Sequence, residues 1–490
     1  MAGSARSFLY ALCQHKIGVI TKDSVTLMHV MRSEVCILGS GEVALMPGDW
    51  LAPRFVARGG HATVAVPGSK SLTNRYLLLA ALASSPSVIH APLHSRDSAL
   101  MISALTSLGA QFEEIETGSV FGPDLRVTPL NRAANLGSVS VDVGLAGTVM
   151  RFVPPVAALV SGDIHFDGDA HARVRPMGPV IDALRSLGIL VDDDARGALP
   201  FTVSASGSVA ARELEIDASG SSQFVSALLL AASSFNNGLD LQHVGASIPS
   251  MPHIEMTVDI LRSVGIEVDD SQPNRWIIEP QTFEGFEVTV EPDLSNAGPF
   301  LAAAVVTGSR VNVPLWPAKT TQGGDHWKKI LPLFGASVEL TAEGLTVTGP
   351  AEGNISALPE IDLDLSEAGE LAPTVAALCA LSPQPSTLRG IAHLRGHETD
   401  RLAALTTEFN KLGARAEEIE DGIRILGPVQ HGGRFSTYAD HRMATAAAII
   451  GLAVDNVIVE NVATTAKTLP NFTGLWETML ENFSSTGKAD

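Results

Sequence analysis

Only three cysteines occur in the 490 residues, Cys13, Cys36 and Cys379. They make neither a metal-ligand spacing nor a disulfide framework, which excludes a stapled secreted domain and points to a reducing, cytoplasmic setting. Cations are also scarce. The 33 Lys and Arg stand against 53 Asp and Glu, a formal charge of -20 that argues against a nucleic-acid surface. No apolar run reaches the ~18 residues that cross a bilayer without a charge or a turn signal, so no membrane helix is expected. The phosphate-loop spacing G-x-x-x-x-G-K-[ST] is absent as well. Aromatics are only 5%, yet hydrophobic residues reach 45% and charged ones 18%. The chain therefore reads as globular, with a core built from small aliphatic side chains. Its length predicts two or more domains.

What is present is a repeat. Each copy is a strand, a Gly/Ser/Asp-rich turn, an Ala/Leu-rich helix, a loop and a second strand. The copies are Val66–Pro92, Val143–Gly168, Ile216–Val244, Val290–Leu315, Leu363–Ile391 and Tyr438–Val462. Neighbouring turns lie roughly 75 residues apart, longer than solenoid repeats. In the first copy Val66-Pro67-Gly68-Ser69-Lys70-Ser71 leads into a helix expected over Leu72–Ala83, with Ser69 or Ser71 as N-cap. A second, amphipathic helix before a glycine recurs at Ala99–Leu108, Val180–Leu187, Met256–Val264, Trp327–Phe334 and Leu402–Leu412. The glycine fits a C-cap, and these helices read as core. Six such units make an α/β protein of two three-unit halves. The break is expected near Val290-Glu291-Pro292-Asp293, with the strand before Pro67 returning to the second half. The expected limits are 68–290 for the first domain, 50–67 plus 291–480 for the second, and a polar tail over 481–490.

The few cations gather at the polar turns. Lys70, Arg75, Arg151, Arg175, His397 with Arg401, His441 with Arg442, and Lys467 all sit at element ends. One such residue is usually a solvated charge. This many, in so acidic a chain, suggest a cleft for a multiply anionic small molecule held by charge-assisted hydrogen bonds. Ser219-Gly220-Ser221-Ser222-Gln223 offers hydroxyls and free amides to a phosphate, or is only a well-furnished N-cap. Glu370 and Glu398 are the candidate proton-transfer carboxylates. Glu398 has a rival role as a first-turn acid facing a helix dipole.

These residues resemble the 5-enolpyruvylshikimate-3-phosphate (EPSP) synthase family. The matching motifs are Pro67-Gly68-Ser69-Lys70-Ser71 with Asn74-Arg75, Ala146-Gly147-Thr148-Val149-Met150-Arg151 and Ser221-Ser222-Gln223-Phe224. Glu398-Thr399-Asp400-Arg401, Asp440-His441-Arg442-Met443-Ala444 and Ala466-Lys467-Thr468 follow in family order. The resemblance implies an α/β, two-domain inverted α/β barrel of six βαβαββ units, and a monomer that needs no cofactor and no metal. It implies transfer of the enolpyruvyl group from phosphoenolpyruvate to the 5-hydroxyl of shikimate 3-phosphate, in aromatic amino-acid biosynthesis. By motif, the shikimate 3-phosphate site is Lys70, Ser71, Arg75, Ser221, Ser222, Ser250, Glu370 and His397. The phosphoenolpyruvate site is Lys70, Gly147, Arg175, Gln223, Arg401, Arg442 and Lys467. The proton carriers are Glu370, Glu398 and Lys70, with Asp97 as a further candidate.

The chain departs from the family pattern at Leu145 for Asn, Phe152 for Pro, Glu370 for Asp, and His393 and His397 for Asn and Lys. The Glu/His combination resembles the actinobacterial branch. These changes bear on ligand affinity and glyphosate sensitivity, not on the reaction. His397 is expected to titrate near ~6.5 and, on meeting the ligand phosphate, to weaken shikimate 3-phosphate binding between about pH 6.5 and 8.5. The rival enzyme of the same fold, UDP-N-acetylglucosamine enolpyruvyl transferase, normally carries a catalytic cysteine loop. No cysteine stands between Cys36 and Cys379. A non-catalytic anion-binding protein is the rival from another class.

Residues 1–45 do not match the rest. Met1–Lys22 holds Arg6, Lys16 and Lys22 and no acid, but no clean apolar stretch with a cleavage site. A transit-like presequence is one reading. The preferred expectation is that translation starts at Met46, with Pro47-Gly48-Asp49-Trp50 an ordinary exposed N-terminus. The intact mass of native protein checks this, and a mass that includes Met1 would refute it.

Overall fold

The computed structural model describes residues 45–56, 59–350 and 359–487; the segment expected as an extra N-terminus lies almost wholly outside them. Six small sheets account for the strands. The sheet of Asn135–Asp142, Ser161–Asp167, Phe201–Ser206 and Leu190–Asp192, in that spatial order, shows the plan. Its first pair is parallel and the next two are antiparallel. The sheet of Ile361–Asp364, Ser386–Arg389, Gly422–Gly427 and Arg415–Ile419 repeats this plan in the second half. Each is a βαβαββ unit, because a helical crossover joins the parallel pair and a hairpin ends the unit. None of the six sheets closes on itself among the described residues.

One helix of each unit is central: α1 (Lys70–Leu82), α2 (Gly147–Ala157), α3 (Gln223–Ala232), α4 (Leu294–Thr307), α5 (Ala372–Cys379) and α6 (His441–Ala453). The first three pack on one another, and so do the last three. Their Ala, Leu and Val side chains are buried on every face, as in Phe224–Ala232 of α3 and all of α4. A helix apolar all round must be enclosed. The arrangement is thus inverted, with helices inside and sheets outside. The sheets bury one face, as the alternation along Glu213–Ile216 shows.

The amphipathic helices form as Arg96–Ser107, Gly178–Ser186, Pro252–Ser263 and Arg401–Lys411. The glycines after them, Gly109, Gly188, Gly265 and Gly413, all take positive φ, as a left-handed C-cap requires. The stretch Trp327–Phe334 differs. It is one α-turn, Trp327–Ile330, followed by a 3₁₀ turn with Pro332 at its start. Proline supplies no N–H to continue the α ladder.

The chain passes between the halves twice. Strand His61–Thr63 pairs in parallel with Arg310–Val313, and Glu287–Thr289 pairs in parallel with Ser87–His90. The crossings lie side by side: Ser69 N–H donates to the Glu291 carbonyl at 2.8 Å and Asp293 N–H to the Pro67 carbonyl at 2.9 Å. Gly68 is needed there, since a Cβ would sit 2.4 Å from the Ala91 carbonyl oxygen. One apolar core runs from Leu72 to Val290. The other joins Ala52–Val66 to Leu294–Phe483.

Three local expectations need correction. Ser69 is the N-cap of α1, but its side chain caps nothing; the Asp293 carboxylate takes the Lys70 N–H at 3.3 Å. Residues 481–486 are no polar tail: they finish the helix Phe472–Thr486, whose Phe483 is fully buried. Trp50–Leu51 is a strand against Val457–Val459, and Asp49 is buried against Arg434.

Gly298, inside α4, faces the indole of Trp327, where a Cβ would lie 2.3 Å from the ring. The indole is fully buried and pinned by its N–H to the Leu294 carbonyl at 3.1 Å. Helix propensity alone would make Gly298→Ala stabilising by ~1 kcal/mol. Overpacking outweighs it, and a net loss of about 1–3 kcal/mol is expected in urea unfolding. A raised midpoint would contradict this packing.

Candidate functional site

The starts of all six central helices face one cleft between the halves, a space of about 1220 Å³ that is partly open to solvent. Lys70 and Ser71 of α1, Gly147 and Thr148 of α2, Gln223 of α3, Ser295 of α4, Glu370 just before α5, and His441 and Arg442 of α6 line it. Each helix brings a partial positive charge and free N–H groups to its start. In the first half the N-cap residues Ser69, Ala146 and Ser222 contribute no side-chain cap. The cleft is therefore an anion site before any side-chain cation is counted.

The cations add to it. Arg151 and Arg175 are both more than nine-tenths buried, and neither forms an ion pair among the described residues. Arg151 donates to Gln223 Oε1 at 2.8 Å and lies over the Phe224 ring, 5.0 Å from its centroid. Burial, with Arg175 close by, pushes its pKa well below the ordinary guanidinium value. Arg175 has the Leu145 carbonyl at 3.4 Å. Its guanidinium occupies the room that Gly147 leaves, where a Cβ would be 3.0 Å away. Lys70 Nζ stands 3.5 Å from Asp97.

The second half lines the cleft with Asp293, Glu370 and Glu398. Glu370 accepts from Ser295 Oγ at 2.6 Å, with His253 at 3.7 Å and Arg442 at 3.6 Å. Burial alone would raise its pKa, but His253, Arg442 and Ser295 outweigh burial and hold it well below the usual range. Glu398 lies between Lys467 Nζ at 2.7 Å and Arg401 at 3.0 Å. Burial again opposes ionisation, and Lys467 and Arg401 overcome it. Arg401 is in turn clamped by Asp440, 2.7 Å from Nε, and Asp440 caps α6 through the Arg442 N–H. Both glutamates are thus ionised acceptors beside bound cations.

Most of the residues singled out from sequence do meet here. Lys70, Ser71, Gly147, Arg175, Ser221, Ser222, Gln223, Ser250, Glu370, His397, Glu398, Arg401 and Arg442 all line the cleft. Three stand behind it. Arg75 is 1% exposed and its nitrogens go to Thr257, the Ser71 and His253 carbonyls and Ser226. Its guanidinium lies over Phe152, and burial pushes its pKa down to about 9. Asp97 lies buried against Lys70, and Lys467 lies against Glu398 with its Nζ also 3.5 Å from the Leu145 carbonyl. Sequence reasoning counted Arg151 among the cleft cations without assigning it a ligand, and gave no site role to Ser295, His253 or Gln322; all four line the cleft. Ser295 had a signal: it occupies the fourth turn of the repeat. Gln322 had none, because its bonds to Glu291 and to the Leu294 N–H form only in the fold.

His397 is not the titrating cation expected near ~6.5. Its Nδ1 faces Arg401, 3.2 Å away, and arginine only donates, so the ring is a neutral acceptor. Burial first, then Arg401, lowers its pKa well below the usual value. Its neighbour His393 is pushed down to about 4, again chiefly by burial. These imidazoles refuse protons that the unfolded chain accepts below about pH 6.5, so they cost stability as pH falls. In the ligand-free protein the urea midpoint should drop from pH 7 to pH 5. His393→Asn should shallow that drop by up to about 1.4 kcal/mol per pH unit. An unchanged slope would show that His393 is protonated in the folded state.

Comparison with known proteins adds to the geometry. The family model described as EPSP synthase (3-phosphoshikimate 1-carboxyvinyltransferase) matches residues 60–476. A curated 3-phosphoshikimate 1-carboxyvinyltransferase from Kocuria rhizophila is 60% identical over 429 residues, 87% of this chain and 95% of that protein. Two solved EPSP synthase structures from Acinetobacter baumannii share the fold, with TM-scores of 0.70 and 0.69 at 21% and 20% identity. Each comparison covers 88% of this chain and 98% of the solved one.

Proposed function

The chain belongs to the EPSP synthase family, and from that premise we propose how its cleft carries out the reaction. It transfers the enolpyruvyl group of phosphoenolpyruvate to the 5-hydroxyl of shikimate 3-phosphate, giving EPSP and phosphate. The observation that carries the reading is one cleft with unpaired buried guanidinium groups on one side and two ionised glutamates on the other.

Shikimate 3-phosphate takes Ser71, Ser221, Ser222 and Ser250 as hydroxyl partners, and Glu370 beside its 5-hydroxyl. His397 offers it an Nε2–H donor instead of a charge. Phosphoenolpyruvate takes Arg175, Arg401 and Arg442 for its carboxylate and phosphate, with the Gln223 amide and the Gly147 backbone. Lys70 lies between the two ligands. Arg75 braces α1 from behind, Asp97 holds Lys70, and Lys467 holds Glu398.

The chemistry is addition followed by elimination. A proton adds to the methylene carbon of phosphoenolpyruvate, leaving a cationic centre at C2. The 5-hydroxyl oxygen bonds to C2 while its proton passes to Glu370. Phosphate then leaves the tetrahedral intermediate, taking up the proton that Glu370 received while Lys70 offsets its charge, and the methyl group returns one proton to restore the double bond. Glu398 is the group for the methylene-carbon proton in both directions. Its pKa is low while Lys467 and Arg401 face it alone, and an anionic ligand on Arg401 offsets that field and raises it. A monomer is taken as the working unit. A cytoplasmic setting accords with Cys379, the one cysteine among the described residues, which is a buried free thiol. No helix among the described residues is long and apolar enough to cross a membrane.

Phosphate release should follow mixing of protein, phosphoenolpyruvate and shikimate 3-phosphate. Release with UDP-N-acetylglucosamine instead would reverse the choice of acceptor. Lys70→Met should lower turnover by about 100-fold or more while leaving the melting curve intact. Near-normal turnover would make Lys70 a structural residue.

A further inference from the structure

We propose that Arg151 is a positioning residue that sets the hydrogen-bond polarity of the wall formed by Ser221 and Gln223, turning both groups into donors toward the cleft. The inference rests on the reaction given above. Arg151 belongs to α2, whereas Ser221 and Gln223 stand at the start of α3. Its Nη1 meets Gln223 Oε1 at 2.8 Å and Ser221 Oγ at 3.4 Å. The Phe224 ring under the guanidinium fixes its plane.

Arginine has donors and no acceptor. The amide atom of Gln223 that faces it must therefore be the oxygen, and the NH₂ group is left for the cleft. Ser221 is constrained twice. Its oxygen accepts from Arg151 and also from the backbone N–H of Gln223 at 3.3 Å. With both lone pairs used, its own hydrogen is free to point at a ligand. A glutamine amide and a serine hydroxyl are otherwise ambivalent, since either can turn an oxygen toward an anion at little cost. Without Arg151 nothing would hold the amide oxygen and the hydroxyl lone pairs away from a carboxylate or phosphate, and each group that turned an acceptor to it would replace attraction by repulsion. The guanidinium makes no ion pair among the described residues, and Glu398 acts on it only through space.

A double-mutant cycle with a polarity control tests this. KM for phosphoenolpyruvate and kcat are measured for the wild type, Arg151→Met, Gln223→Ala, the double variant and Gln223→Glu, at saturating shikimate 3-phosphate. Arg151→Met should raise KM for phosphoenolpyruvate about 10- to 100-fold, with a smaller fall in kcat. Added to Gln223→Ala, it should cost less than about threefold more, because its target is already gone. Gln223→Glu keeps the partner of Arg151 and the size of the side chain but turns an acceptor to the cleft. It should raise KM further than Gln223→Ala does. Independent, multiplicative losses in the double variant would mean that Arg151 binds ligand itself or only supports the fold, and would overturn the proposal. So would a Gln223→Glu enzyme with a KM at or below that of Gln223→Ala. That comparison decides alone should Arg151→Met fail to fold. A wild type that turns over neither substrate would sink the reaction itself, an outcome distinct from a failed cycle.

Discussion

Keeping positive charge buried without neutralising it is the constraint on which the molecule depends. A guanidinium taken out of water is costly unless it is paired or hydrogen-bonded. Arg151 and Arg175 keep their charge because partners weaker than a carboxylate hold them: an aromatic face, an amide oxygen and a backbone carbonyl. The helix starts around them point the same way electrically and add to the positive field of this side of the cleft. The inverted architecture follows from this need. Six helix ends reach one cleft only if the helices are central, and central helices must be apolar all round.

The carboxylates of the second half answer that field locally. Glu370 and Glu398 are held ionised by cations that a ligand will also use, so binding and proton transfer draw on the same charges. The Glu370 carboxylate is met by Ser295 and His253 as well as by Arg442. The rings of His393 and His397 lie 5.8 Å apart, and burial holds the pKa of each below the usual imidazole value. This edge of the cleft recognises by hydrogen bond more than by charge.

What was legible in the sequence was local. Turn glycines and serines, the Ala/Leu helices and the C-capping glycines each depend on neighbours a few residues away, and there the reading and the fold agree. What was hidden depends on partners across the chain. Ser69 looks like a capping residue because serines cap helices, yet the acceptor comes from Asp293, the N-cap of α4. Arg75 looks like a ligand group because it stands in the first helical turns, yet Thr257 and the His253 carbonyl claim it from behind. Thr486 looks like part of a polar tail, yet its hydroxyl receives the His61 N–H at 2.8 Å. Periodicity reports which face is buried and says nothing of who buries it.

The paired crossings also impose an order of assembly. Strands Trp50–Leu51 and His61–Thr63 leave the ribosome early, but their partners Val457–Val459 and Arg310–Val313 arrive much later. Every strand of the first half lies between Ser87 and Thr289, so that half has its own partners as soon as Thr289 emerges. The early strands must meanwhile wait as unpaired edges, which are templates for pairing with other chains. His61–Thr63 is short and holds a histidine and a threonine on its exposed face. A strand that must wait unpaired is safer when it is brief and half polar.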